Sequence, residues 1–233
     1  MTDILPVRPL LFLHLPKAAG TTLKSIIERV YGADRVAFLK APWGEIETFA
    51  AKPMEERAAV DAVAGHLTWG DREILPGAAV ITMLRDPIER VMSWFYYNKS
   101  NPNAGLHAAF NENDLLFEDA VQAGMFGGAY NQMVDRLRDP AVAGSRGAVA
   151  SARKNLASCA AFGLSERFGD SVAHFGEALR WPATEWADLN VSEGRPRAGD
   201  LDRAVLAHLR RACAADYELY DFARRLFDRR VGG

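Results

Sequence analysis

Short dense apolar runs alternate along this chain with apolar residues at helical spacing. The stretch Val7 to Leu15 holds Leu10-Leu11-Phe12-Leu13 and stops at Pro16. A buried helix needs a longer run, so the spacing predicts a strand. After Pro16-Lys17-Ala18-Ala19-Gly20, the segment Thr21 to Tyr31 sets Leu23, Ile26, Ile27 and Val30 on one helical face, and Gly32 follows where helices commonly stop. The pattern repeats twice. Ala78 to Leu84 reads as a buried strand, and Pro87 suits the first turn of a helix running to about Asn98 with Asp86 as its N-cap. Cys159 to Leu164 reads as a third strand, followed by Ser165 and a helical stretch from Glu166 to Leu179. Three strand-then-helix units imply an α/β fold with a central parallel sheet flanked by helices. In such sheets ligands bind beyond the carboxyl ends of the strands.

Between these units, Leu115 to Ala123 and Ala129 to Leu137 look like short helices, Asp139 to Gly147 like an exposed loop, and Ala148 to Cys159 like a further helix. The tail from Asp200 to Phe227 reads as two helices anchored by residues such as Leu206, Leu209, Leu219 and Phe227. Asn190 to Gly199 has turn composition. No repeat or linker interrupts the pattern, so residues 1–233 are expected to form a single domain.

Composition changes this picture little. The 233 residues are 49% hydrophobic, enough for a sizeable core. With 28 basic and 30 acidic side chains, the net charge of -2 exerts no general pull on nucleic acid or anionic membrane, so any anion site must be local. The two cysteines, Cys159 and Cys213, lack metal-site spacing, and no disulfide framework or metal centre is expected. The N-terminus has neither the basic region nor the cleavage site of a signal peptide, and Leu10 to Leu15 is too short to span a bilayer. A cytoplasmic protein is the expectation.

Candidate chemistry begins at the first strand–helix junction. Lys17 brings a positive charge, Ala18, Ala19 and Gly20 let the backbone wrap closely, and Thr21 and Thr22 add hydroxyls at a helix start. Exposed N–H groups and the helix dipole favour an anion there. The lysine precedes the only glycine, so this is not the G-x-x-x-x-G-K-[ST] loop of nucleoside triphosphatases. By composition alone, an ordinary capped helix with a surface lysine also fits.

His14-Leu15-Pro16-Lys17-Ala18-Ala19-Gly20-Thr21-Thr22-Leu23 resembles the 5′-phosphosulfate loop of sulfotransferases that use 3′-phosphoadenosine-5′-phosphosulfate (PAPS). It is closest to the sugar-modifying branch that includes the heparan and chondroitin sulfate 2-O-sulfotransferases and bacterial relatives. That branch commonly has threonine where this chain has Ala18. Leu84-Arg85-Asp86-Pro87 through Ser93-Trp94-Phe95-Tyr96-Tyr97 is similar to the family's 3′-phosphate motif. Asn155-Leu156 through Phe162-Gly163-Leu164-Ser165-Glu166-Arg167-Phe168 resembles a third family segment, and Asp216-Tyr217-Glu218-Leu219-Tyr220 the start of its C-terminal helix.

The resemblance implies a P-loop-NTPase-like sulfotransferase fold and an enzyme that moves a sulfuryl group from PAPS to a hydroxyl or amine, releasing 3′-phosphoadenosine-5′-phosphate (PAP). It implies that Lys17 to Thr22 bind the 5′ end of the donor, with Lys17 also stabilising the leaving oxygen. It further implies that Arg85 and Ser93 bind the 3′-phosphate, with Ser165 and Arg167 reaching the nucleotide end. His66, in Gly65-His66, matches the family's general base, and its near-neutral pKa suits proton abstraction. A packed histidine is the competing reading. His14 reads as structural, and Glu89 is an alternative base. Asn131, Gln132, Arg136, Arg195 and Arg197 are candidates for holding a carbohydrate-like or other hydroxylated acceptor. A nucleotide-dependent kinase and a non-catalytic nucleotide-binding module remain as alternatives, and a nucleic-acid binder conflicts with the net charge.

Overall fold

The computed structural model describes residues 5–39, 44–112, 114–182 and 196–232. In chain order the elements are β1 (Leu10–Leu13), α1 (Gly20–Tyr31), β2 (Val36–Leu39), α2 (Gly44–Ala50), α3 (Met54–Ala58), β3 (Ala62–Gly65), β4 (Ala79–Leu84) and α4 (Pro87–Ser100). There follow α5 (His107–Asn111), α6 (Phe117–Gln122), α7 (Gln132–Leu137), α8 (Ser145–Ser158), β5 (Ala161–Leu164), α9 (Phe168–Leu179), α10 (Arg203–Ala212) and α11 (Ala214–Val231). The strands form one sheet in the order β2-β3-β1-β4-β5, and every pairing is parallel.

Two of the dense apolar runs became the inner strands β1 and β4 and the third became the edge strand β5, each buried on both faces as a helix-covered parallel sheet requires. All four residues of β1 are fully buried between β3 and β4. On α1 Leu23, Ile26 and Ile27 are buried against the sheet as the spacing predicts, while Tyr31 rather than Val30 completes the buried stripe and Val30 is only partly covered. Asp86 caps α4 by accepting from the amides of Ile88 (3.0 Å) and Glu89 (3.1 Å), and Pro87 occupies the first turn.

Among the described residues the sheet has two strands beyond the three expected. β2 is only Val-Ala-Phe-Leu, and β3 is Ala-Val-Ala-Gly, whose small residues carry little strand signal. In β3 small size answers to space: a Cβ on Gly65 would lie 2.7 Å from the carbonyl oxygen of Leu39. Helix α8 begins at Ser145, inside the expected loop, and α5 forms in the polar segment after α4.

A second core lies away from the sheet, where Phe95 of α4 meets Phe110, Phe117 and Phe126, with ring centroids 4.8–6.0 Å apart. Burying each such ring contributes about 1.5–3 kcal/mol. It anchors α4 by that face and leaves Glu89, Ser93 and Tyr97, at successive four-residue steps, on another. Among the described residues no helix is long and apolar enough to cross a membrane.

Candidate active site

Parallel strands place their carboxyl ends on one edge, and the candidate residues follow four adjacent ones. Leu13 is level with Gly65 on one side and Thr82 on the other, and Leu84 is level with Leu164. The chain therefore delivers His14 to Thr22 after β1, His66 after β3, Arg85 after β4 and Ser165 after β5, at one end of the sheet.

The loop after β1 is wound by two left-handed residues, Lys17 (φ 67°) and Ala19 (φ 55°). For residues with a Cβ this costs about 1–2 kcal/mol each, strain of the kind that clusters at ligand clamps. Left-handed residues in a tight loop turn successive N–H groups toward one concavity, a recurrent anion nest. The loop runs into the first turn of α1, where helices leave their N–H groups without intrahelical acceptors and where this chain has no acidic residue. Thr21 is exposed and Thr22 buried. Ala18 is fully buried in the sheet core, so its methyl packs inward.

Arg85 links this loop to the next strand: its Nη1 donates to the carbonyl oxygen of Lys17 at 3.1 Å, and its Nη2 lies 3.9 Å from Glu89. The Lys17 ammonium rests 3.9 Å from the ring centroid of Tyr97, one turn beyond Ser93 on α4. The Arg85–Asp86 turn is held from β5 and α11. Ser165 Oγ donates to the carbonyl of Leu84 (3.0 Å), and the Asp86 amide donates to Glu166 (2.9 Å). Tyr220 in turn donates to Glu166 at 2.6 Å. Arg167 bonds Asp170 (2.8 Å) and Asp228 (2.5 Å), so its guanidinium is engaged by α9 and α11. A cavity of about 350 Å³ beside the turn is lined by Asp86, Glu89, Arg210 and Tyr217. Its two carboxylates make it a poor seat for a phosphate. Burial, followed by the Glu166 carboxylate, pushes the Asp86 carboxyl upward.

His66 is half-buried at the end of β3, and Arg136 donates to its carbonyl oxygen. Burial, then the charges of Arg136 and Lys17, hold its imidazole below the usual histidine range, so it is unprotonated at neutral pH. A neutral imidazole beside a lysine is chemically able to take a proton from a hydroxyl. His14 stacks on Phe12 (5.4 Å, 22°) and tilts against His66 (4.7 Å, 47°). Burial first, and then His66 and nearby cations, push His14 down to about 3. Its ring occupies the place of a missing side chain, since a Cβ on Gly20 would lie 1.8 Å from His14 Nε2.

The polar candidates on α7 turn inward. Asn131 donates to the carbonyl of Ala212 (2.8 Å) and accepts from the Asp216 amide (3.1 Å), and Gln132 accepts from Arg90 (3.0 Å). Arg90 and Asp216 are both fully buried, 3.9 Å apart, and Asp216 accepts from the amides of Met133 and Val134 that open α7. The sequence reading gives Arg90, Glu166 and Tyr97 no role of their own, because their partners lie on other elements. Glu89 faces Arg85 and accepts from the Ala198 amide (2.8 Å). The Arg197 amide bonds Asp200, and Arg195 lies outside the described residues. His107 contacts the carbonyl of Asn98 (3.2 Å). Among the described residues no cluster of histidine, cysteine and acidic side chains is arranged to hold a metal.

A comparison with curated proteins finds no match. Residues 1–143, more than half of the 233, match the model of the Sulfotransferase family. That span runs from β1 through α7 and carries the lysine loop, His66, Arg85 and Ser93. By that match, and by the parallel sheet that sets those residues along one edge, the chain belongs to the sulfotransferase family.

Proposed function

We propose that residues 1–233 act as one cytoplasmic domain that transfers the sulfuryl group of PAPS to a hydroxyl, or an amine, of a carbohydrate-like acceptor. The observation that carries this reading is the hydrogen bond from Arg85 to the carbonyl of Lys17, which joins two cationic residues from separate motifs at the sheet edge. PAPS is anionic at both its 5′ and 3′ ends, and the residues suit it. The nest of Lys17 to Thr22, at a helix start free of acid, fits the 5′ end. Arg85 with Ser93 fits the 3′-phosphate. Ser165 contributes by bracing the carbonyl of Leu84, and Arg167 belongs to the same nucleotide-end set through its clamp on α11.

The transfer is an in-line displacement at sulfur. The acceptor oxygen forms the new S–O bond, the bond from sulfur to the 5′-phosphate oxygen breaks, and the acceptor proton goes to His66. Catalysis of this kind is mainly alignment and charge stabilisation. Lys17 stabilises the oxygen that leaves with its electron pair, and His66 is kept neutral, ready for the proton, by the burial and cations described above.

The test is thermal unfolding with PAP against ADP at matched concentrations without metal. At 100 times its Kd, PAP adds about 2.7 kcal/mol and raises Tm by roughly 5–11 °C for a chain of this size. Arg85→Ala should abolish most of that shift, and Lys17→Ala should slow PAP release from PAPS by about 10²–10³. No shift with PAP, or a larger one with ADP and Mg²⁺, would overturn the reading in favour of a binding module or a kinase.

A further inference from the structure

The face of α4 that the aromatic core leaves open carries Glu89, Ser93 and Tyr97 at four-residue intervals. Glu89 meets Arg85 at its lower end, and Tyr97 meets Lys17 at its upper end. Tyr97 is one of the few large hydrophobic residues left exposed, at 46%. An isolated exposed ring would be unremarked, but this one has a lysine ammonium 3.9 Å from its centroid. The backbone of that lysine is strained, and its carbonyl is pinned by Arg85.

From this we infer that Tyr97 is a positioning residue for Lys17. It holds the ammonium over the open end of the loop before the donor arrives. The inference rests on the donor reading above, because it assumes that Lys17 acts at the 5′ end. A lysine side chain has four rotatable bonds, and fixing it on binding costs entropy. Arg85 fixes the backbone end of Lys17 and the Tyr97 ring fixes the charged end. A ring covers one side of an ammonium only and does not take up its N–H donors as a carboxylate would, so the contact is compatible with a bound anion. Removing the ring removes that contact, and more of the side chain's ordering is then left to the reaction itself.

Two substitutions separate the ring from the rest of the side chain. Tyr97→Leu removes the π face at a partly exposed position and keeps an apolar side chain there, and Tyr97→Phe keeps the face and drops only the hydroxyl. Labelling of Lys17 by an amine-selective reagent, read by mass spectrometry, reports the contact without any nucleotide. PAP release from saturating PAPS reports its use. An exposed cation–π contact is worth about two- to fivefold in an equilibrium. Labelling of Lys17 is expected to rise by that factor in Tyr97→Leu, kcat is expected to fall by a similar one, and Tyr97→Phe should match wild type in both. Unchanged kcat in Tyr97→Leu would overturn the positioning role, whatever the labelling shows. So would a Tyr97→Phe variant as impaired as Tyr97→Leu. Failure of the wild-type chain to bind PAP strikes the donor reading instead, and the labelling experiment still decides the contact.

Discussion

At the scale of single residues, His14 and Gly20 form one unit. The imidazole fills the space that any larger residue at position 20 would take. Gly20→Ala should therefore displace His14 and destabilise the chain by about 1–3 kcal/mol, the usual cost of overpacking, read as a lower denaturant midpoint. The same burial has a pH signature. Folded His14 takes up its proton only near pH 3, whereas an unfolded histidine does so at about 6.5. Between these values the unfolded state binds more protons, so stability is lost as pH falls. Between pH 7 and pH 5 this site accounts for a loss of about 2 kcal/mol. A His14→Asn variant should show a correspondingly flatter profile in urea titrations at the two pH values. The residue types of the lysine loop were readable in the sequence. The left-handed turns at Lys17 and Ala19 were not, because neither is the glycine or asparagine that advertises a positive φ. His14 at the strand end reads as structural and is packed in the fold, but its partners, Gly20 and His66, meet it only there.

Among the elements, α7 depends on a group it does not contain. The buried Asp216 of α11 accepts from its first amides and faces Arg90 of α4. Asp216→Asn leaves the Arg90 guanidinium buried without its counter-charge and should cost about 3–5 kcal/mol, measurable by chemical denaturation. Because α7 carries Arg136 to the carbonyl of His66, the loss should extend to the candidate base. Strands with large apolar residues were legible, as β1 and β4 show, and so was α4 with its Asp-Pro start. The small-residue strand β3 was hidden, although His66 sits at its end, because four residues of Ala, Val and Gly fit a helix or a loop equally well. The Asn131–Gln132 pair shows partners that the sequence hides. Polar side chains on a short helix suggested acceptor contacts, but both satisfy buried groups.

For the whole molecule, the family match ends at residue 143, yet the candidate site does not. The Arg85–Asp86 turn is braced by Ser165 and Glu166 after β5 and by Tyr217 and Tyr220 of α11. A chain ending at Ala143 would expose the β4 edge and lose Leu219 and Phe227 from the sheet core. It should show no cooperative thermal transition by circular dichroism and no PAP-dependent shift. A cooperative transition in that fragment would mean that the first 143 residues are self-sufficient. The parallel-sheet architecture was legible because strand–helix alternation repeats. The strand order was not, since it depends on pairings between distant segments.

That order places β1 at the centre, and its Leu13 carbonyl accepts from Thr82 Oγ1, 69 residues away. The lysine loop leaves the ribosome before the strands on either side of β1, which follow it in the chain. Folding dominated by such distant pairings is slow, because long loops must close before any contact rewards them. The segment proposed to hold the donor is thus made before the strands that flank it, and its strained loop is set in place only once those strands have paired with β1.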